Sequence, residues 1–222
     1  MDEYIVKINR IEWITHNVRK FRVEKPKGYS FTPGQATEVA INKEGWKEER
    51  RPFTFTALNE EPELEFMIKI YGDHNGVTKQ LGKLKKGDEL LLHDVWGAIH
   101  YKGPGIFLAG GAGITPFIAI LRSLYKEGKI DGNRLIFSNK TSQDIILREE
   151  FNKMLGDRLI NTLTDEDHKD YDNRRIDKDF LKEKITDFKQ HFYVCGPPSF
   201  VEDISWSLKQ LGSNPDSIVL ED

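Results

Sequence analysis

The chain has 222 residues, 38% hydrophobic and 31% charged, with a net charge of −3; this length suits one large or two small domains with a core of their own. The balance excludes a disordered chain and gives no basis for a nucleic-acid partner. The single cysteine, Cys195, excludes an intramolecular disulfide, a cysteine-rich zinc site and a four-cysteine iron–sulfur cluster in this sequence. The opening "MDEYIVKINR" has no basic-then-apolar signal region, and no apolar run reaches membrane-spanning length, so a cytoplasmic protein with no membrane span is expected.

In chain order, residues 1 to about 101 read as strands. "YIVKINRIEWIT", "VRKFRVEK", "ATEVAI", "PFTFTAL", "LEFMIKIY" and "DELLLHD" are short and largely alternating, with Pro, Gly and Asn breaks between them. Six such strands predict an antiparallel barrel or sandwich. "GVTKQLGKLKKGD" differs, because Val77, Leu81 and Leu84 carry helical spacing. "YKGPG" (Tyr101–Gly105) reads as a linker, dividing a domain of residues 1–101 from one of residues 102–222.

From Ile106 the rhythm changes to strand, helix, strand. "GIFLAG" leads into a helix whose Phe117, Ile118, Ile120, Leu121, Leu124 and Tyr125 form one face. Thr115 is expected to cap that helix, with Pro116 in its first turn and Gly128 at its end. "RLIFSN", "RLINTLT", "HFYVCG" and "SIVLE" then read as strands, separated by helices in "DIILREEFNKML", "KDFLKEKI" and "SFVEDISWSLKQL". Five strands alternating with helices predict a doubly wound parallel sheet, which binds ligands at the carboxyl ends of its strands.

Four short stretches carry chemistry. In "LAGGAGITPF", glycines directly before a helix allow close backbone approach to an anion, although G-x-G-x-x-P is not the dinucleotide fingerprint G-x-G-x-x-G. "RPFT" (Arg51–Thr54) sets a cation, a flat ring and a hydroxyl within four residues, a set suited to a phosphate-bearing aromatic ligand or to an ordinary edge strand. "MIKIYGDHNGVT" adds Lys69 and Tyr71, and its Gly76, Val77 and Thr78 offer N–H groups and a hydroxyl for a second phosphate or form an ordinary turn. In "VCGPPSF", Cys195 ends the fourth parallel strand, either as packing or at the ligand edge, and Gly196 permits close approach. The six histidines show no close ligand spacing, and no G-x-S-x-G elbow is present, so neither a metal site nor a serine hydrolase is expected.

A barrel with "RPFT", followed by "GVT", "GGAGITP" and "CGPP" in that order, resembles the ferredoxin–NADP reductase superfamily of flavin reductases. "RPFT", "MIKIY" and "LIFSNKTSQDIILREEF" are similar to its NADH-dependent cytochrome reductase branch. The resemblance spans essentially the whole chain. It implies a six-stranded antiparallel β-barrel that holds a flavin, FAD ahead of FMN, and a five-stranded α/β domain for NADH or NADPH. Arg51 would contact the flavin phosphates, Pro52 and Phe53 would line its ring and ribityl chain, and Thr54 would bond near its reactive nitrogen. Met67 and Lys69 match flavin-supporting positions, and Gly76, Val77 and Thr78 the pyrophosphate turn. Gly110, Gly111, Gly113, Thr115 and Pro116 would approach the nicotinamide dinucleotide, and Cys195, Gly196, Pro197 and Pro198 would border its nicotinamide.

Two departures stand out: Phe53 replaces the family's usual tyrosine, and "VLED" lacks a terminal aromatic, with Glu221 matching an active-site carboxylate. The expected activity is hydride acceptance from a nicotinamide cofactor, NADH favoured, and release of electrons to a separate acceptor. Thr54, Cys195 and Glu221 are the candidate catalytic residues. Ser138, Asn139 and Lys140 after the second parallel strand, and Asp165 after the third, are placed to read the dinucleotide's ribose or 2′-phosphate. The acceptor is expected to be a small acidic redox protein, met by Lys79, Lys83, Lys85 and Lys86, or a small molecule. The competing reading is a flavin- or nucleotide-binding regulatory module without turnover.

Overall fold

A computed structural model describes residues 3–73, 75–97 and 99–220. Its first half is a six-stranded antiparallel sheet: β1 (Tyr4–Trp13), β2 (Val18–Glu24), β3 (Ala36–Ile41), β4 (Arg51–Thr54), β5 (Glu63–Lys69) and β6 (Glu89–Trp96), ordered β4-β3-β6-β1-β2-β5. Alternation sets the inner face. Phe21 pairs with Phe66, Val23 with Leu64 and Val6 with Leu90, so these side chains meet in one core with Ile8, Val39, Ile41 and Leu92. Phe31 and Phe55 stack within it at 4.2 Å. The sheet curls until its end strands meet, and the Thr56 N–H donates to the Glu65 carbonyl at 2.9 Å. α1 (Val77–Leu81) buries Val77 and Leu81 against this core.

The second half is a five-stranded parallel sheet whose strands lie side by side in the order 218–220, 191–195, 105–110, 134–139 and 159–163. Its elements run β7 (Gly105–Gly110), α2 (Thr115–Lys126), β8 (Arg134–Asn139), α3 (Arg148–Leu155), β9 (Leu159–Leu163), α4 (Lys178–Lys184), β10 (His191–Cys195), α5 (Pro198–Gln210) and β11 (Ile218–Leu220). Both faces are covered. Phe107 and Ala109 of β7 pack with Phe117 and Leu121 of α2 and Phe151 of α3, while Ile106 and Leu108 pack with Phe180 of α4 and Ile204 and Leu208 of α5. Val18, Met67 and Ile99 join the first of these clusters, so apolar packing continues across the junction of the two halves.

Two local expectations are corrected. Thr115 does not cap α2: the chain enters that helix through a 3-10 turn (Gly111–Ile114), Thr115 is already helical, and its hydroxyl donates to the Ala112 carbonyl at 3.1 Å. The helix expected across "DIILREEFNKML" begins only at Arg148. Asp144 instead closes a short 3-10 turn with Thr141 in a reciprocal capping pair, and Leu147 takes a left-handed conformation (φ 52°).

Candidate functional site

A cleft of about 1040 Å³ opens at the carboxyl edge of the parallel sheet and faces barrel strands β4 and β5. Its position follows from topology. The chain leaves β7 for β8 on one side, then returns to place β10 on the other, and the crevice lies where strand order reverses. At that point the turns after β7 and β10 lie side by side, because Ala109 and Cys195 are register partners.

The glycines serve this juxtaposition. A Cβ at Gly113 would sit 2.5 Å from the Cys195 carbonyl and the Gly196 nitrogen; one at Gly196 would meet Phe200 at 2.8 Å and the Gly110 Cα at 3.2 Å. Gly110 is closed off by Phe200 and Pro197 at 3.1 and 3.2 Å. These three glycines let two turns interlock. Gly111 is different: its φ is +53°, and nothing lies within 4 Å of where its Cβ would be, so it presents bare backbone to the cleft.

The barrel contributes Pro52, Phe53, Thr54, Met67 and Lys69 to the lining, and Tyr71 and Trp96 flank them. Trp96 pairs with Ala36, which pairs with Thr54, so three adjacent strands bring the tryptophan and the threonine to one edge. Thr54 and Cys195 are both buried, at 7% and 5% exposure, while Phe53 is half-buried.

The second strand's turn supplies Ser138, Asn139, Lys140 and Asp144. Asn139 is 4% exposed, and neither its amide nitrogen nor its oxygen has a hydrogen-bond partner. Asp144 accepts from the Thr141 hydroxyl at 2.8 Å and from the Asn17 amide at 3.1 Å. Burial works against its charge, but these bonds and nearby Lys69 hold its carboxyl below the usual range. Ser142 donates from its N–H and hydroxyl to Glu166 at 2.6 and 3.0 Å, tying the β8 turn to the acidic loop after β9.

The cleft therefore unites Pro52, Phe53, Thr54, Met67, Lys69, Gly110, Gly111, Gly113, Thr115, Ser138, Asn139, Lys140, Cys195, Gly196, Pro197 and Pro198. Other expected residues stand outside its lining. Arg51 is exposed beside it, donating to the Arg50 carbonyl and 3.6 Å from Glu49; Pro116 is buried in α2. Gly76, Val77 and Thr78 form the α1 turn, whose far end is held by Arg19 donating to the Leu81, Gly82 and Leu84 carbonyls. Asp165 is exposed, its N–H donating to the Lys140 carbonyl. Glu221 lies outside the described residues. Asn17, Trp96, Asp144, Phe200, Val201 and Glu202 also line the cleft, beyond the residues expected from the sequence; the helix start at the end of "CGPP" was the available signal for the last three.

Residues 5–101 match the family model of an oxidoreductase FAD-binding domain, and residues 107–205 that of an oxidoreductase NAD-binding domain. The chain is 25% identical over 221 residues to the ferredoxin–NAD(P)+ reductase component of the naphthalene 1,2-dioxygenase system of Pseudomonas putida, with 94% of this chain and 65% of that protein covered. It is 29% identical over 224 residues to NADH-cytochrome b5 reductase 1 of Aspergillus terreus, covering 90% and 74% of the two. The chain thus spans slightly less than two thirds of the first relative's length. Among solved structures, the FAD/NAD-binding domain of nitric oxide dioxygenase from Vibrio cholerae shares the fold, with a TM-score of 0.87 at 21% identity over 97% of this chain and 96% of that one. Among the described residues, no helix is long and apolar enough to cross a membrane.

Proposed function

Because the chain belongs to the ferredoxin–NADP reductase superfamily of flavin reductases, near its cytochrome b5 reductase branch, we propose that it is an FAD-dependent oxidoreductase that takes hydride from NADH or NADPH and delivers electrons to a separate acceptor. The observation that carries this reading is the cleft itself, in which Phe53 and Thr54 of the barrel face the Gly111 and Cys195 turns of the parallel sheet.

The residues fit the two cofactors. A buried carboxamide with both polar atoms unpaired costs stability unless something bonds to it, so Asn139 fits a hydroxyl- or amide-bearing ligand at the sheet edge. Gly111 fits close backbone approach by a phosphate or ring, and half-buried Phe53 fits a flat ring system. The flavin, when bound, supplies a two-electron acceptor for hydride that can release electrons singly.

In this reading residues 1–101 hold the flavin and residues 102–222 the dinucleotide. Arg51 neutralises flavin phosphate, and the Gly76–Thr78 turn holds the pyrophosphate. Thr54 and Cys195 shape the reacting end of the cleft and exclude water, while Gly110, Gly111, Gly113 and Thr115 seat the dinucleotide with Ser138, Asn139 and Lys140. Electrons leave to an acidic redox protein or a small molecule, for which Lys79, Lys83, Lys85 and Lys86 offer a cationic face.

Denaturing the purified protein and identifying the released flavin by chromatography, with NADH oxidation followed using an artificial acceptor, tests the proposal. FAD together with turnover is expected. Bound FAD without turnover would assign the chain to a binding module, and no flavin after reconstitution would overturn the reading.

A further inference from the structure

One guanidinium joins the two halves of the molecule. Arg122, on α2 two helical turns beyond Thr115, donates through Nη1 to the Thr56 carbonyl at 2.7 Å and to Glu65 Oε1 at 2.8 Å, both in the barrel. Its Nε and Nη2 donate to the two oxygens of Glu150 on α3, at 2.5 and 2.9 Å. Glu65 is 2% exposed and is completed by the Thr56 hydroxyl at 3.0 Å and Arg22 Nε at 3.2 Å. A fork of fixed donors suits this bridge, because a lysine cannot satisfy three separate acceptors in one plane.

The two barrel segments that Arg122 grips, and the helix that carries it, lead directly to the cleft. Thr56 is two residues beyond Thr54, Glu65 is two residues before Met67, and α2 begins at Thr115. The bridge thus ties the barrel wall of the cleft to its parallel-sheet wall, alongside the Lys126–Glu60 ion pair and the Asn17–Asp144 hydrogen bond. We propose that Arg122 is a positioning residue, a latch between barrel and parallel-sheet domain that sets the separation of the two cofactor walls. This rests on the proposed function for its catalytic consequence but not for its structural one.

The test uses the FAD-loaded protein and compares wild type with Arg122→Met, Arg122→Lys and Glu150→Gln. Hydrogen exchange is read in peptides spanning residues 54–58 and 118–126, and flavin reduction is read at saturating NADH. Arg122→Met should speed exchange in both peptides and leave distant strands unchanged. It should retain FAD while slowing saturated reduction by about ten- to a hundredfold, since small misplacements of reacting groups carry penalties of that order. Arg122→Lys should recover part of both signals, and Glu150→Gln, which keeps the barrel contacts, should change each less than Arg122→Met. If Arg122→Met does not fold, Glu150→Gln and Arg122→Lys still decide, because the latch requires exchange and reduction to change together. Unchanged exchange and reduction, with only a lower melting temperature, would overturn it. Should wild type be reduced by neither NADH nor NADPH, the proposed function fails, and the exchange result alone judges the latch.

Discussion

A methyl group at Gly113 would lie 2.5 Å from the carbonyl of Cys195, so the turns after β7 and β10 interlock only because residue 113 has no side chain. The contact is between backbones, and neither partner can move aside cheaply. Gly113→Ala should destabilise the protein by about 1–3 kcal/mol, the usual cost of overpacking. Gly111→Ala meets no atom and pays only for its left-handed backbone, about 1 kcal/mol. Urea unfolding of both variants checks this, with Gly113→Ala expected to be the less stable. Equal stabilities would contradict the interlock.

Cys195→Ser should act on reactivity rather than folding. The side chain lines the cleft at the end of β10, and serine keeps its approximate volume while changing polarity beside the proposed nicotinamide site. Slower flavin reduction in stopped-flow with flavin still bound is expected. Unaltered reduction with a much lower melting temperature would make Cys195 a packing residue.

Much of this was legible in the sequence, and the exceptions have physical causes. Alternation in "VRKFRVEK" located β2, whose Val18, Phe21 and Val23 are buried between more exposed neighbours, whereas β5 in "LEFMIKIY" is buried on both faces, with Leu64, Phe66 and Ile68 in the barrel core and Glu65 and Met67 at the junction with the parallel-sheet domain. The glycine run located the cleft but not its own reason: three of the four glycines at the paired turns are fixed by contacts between residues some 85 positions apart in sequence, such as Gly110 with Gly196 and Phe200, which local composition does not encode. The helix in "DIILREEF" was placed too early because Asp144 has better partners outside a helix, in Thr141 and in Asn17 of the barrel. Trp96 entered the lining through pairing with Ala36, a long-range register that no local pattern specified.

Acid should loosen the junction of the two halves. Burial pushes the Glu65 carboxyl upward, but Arg122 and Thr56 outweigh it and hold the group below its ordinary value of 4.5. A carboxyl depressed in the folded state contributes stability above its unfolded pKa and loses that contribution as pH falls through the folded one. Wild-type stability should therefore drop as pH falls below about 4.5, with Glu65→Gln less stable at neutral pH and showing a shallower acid slope. Urea titrations across that range measure both slopes. Parallel slopes would show that Glu65 does not contribute to the acid response.

Arg51→Ala should lower FAD occupancy. The side chain is exposed next to Pro52 and Phe53, with its guanidinium folded onto the Arg50 carbonyl and Glu49, so a phosphate would replace weak contacts by a charge-assisted pair. Loss of about 1.5–3 kcal/mol of binding is expected. Flavin content after dialysis checks it, and full retention would exclude Arg51 from the phosphate site.

NADH should be used more efficiently than NADPH. Of the acidic loop after β9, Glu166 is committed to Ser142 and Asp167 accepts from the Asn173 amide, which leaves exposed Asp165 to disfavour a 2′-phosphate, while Lys140 lines the cleft on the other turn. The ratio of kcat/KM for the two cofactors should favour NADH in wild type and narrow in Asp165→Ser. A wild-type preference for NADPH that Lys140→Ala abolishes would assign specificity to the β8 turn instead.

In the proposed function this cleft brings a nicotinamide dinucleotide and a flavin together for hydride transfer. Anaerobic addition of NADH to the FAD-loaded protein, with the visible flavin absorbance followed in a stopped-flow instrument, tests it most directly. Bleaching of the flavin band is expected, saturating with NADH, reaching about one flavin reduced per NADH consumed, and slower in Cys195→Ser. A flavin band that NADH and NADPH both leave unchanged, in protein shown to hold FAD, would contradict it.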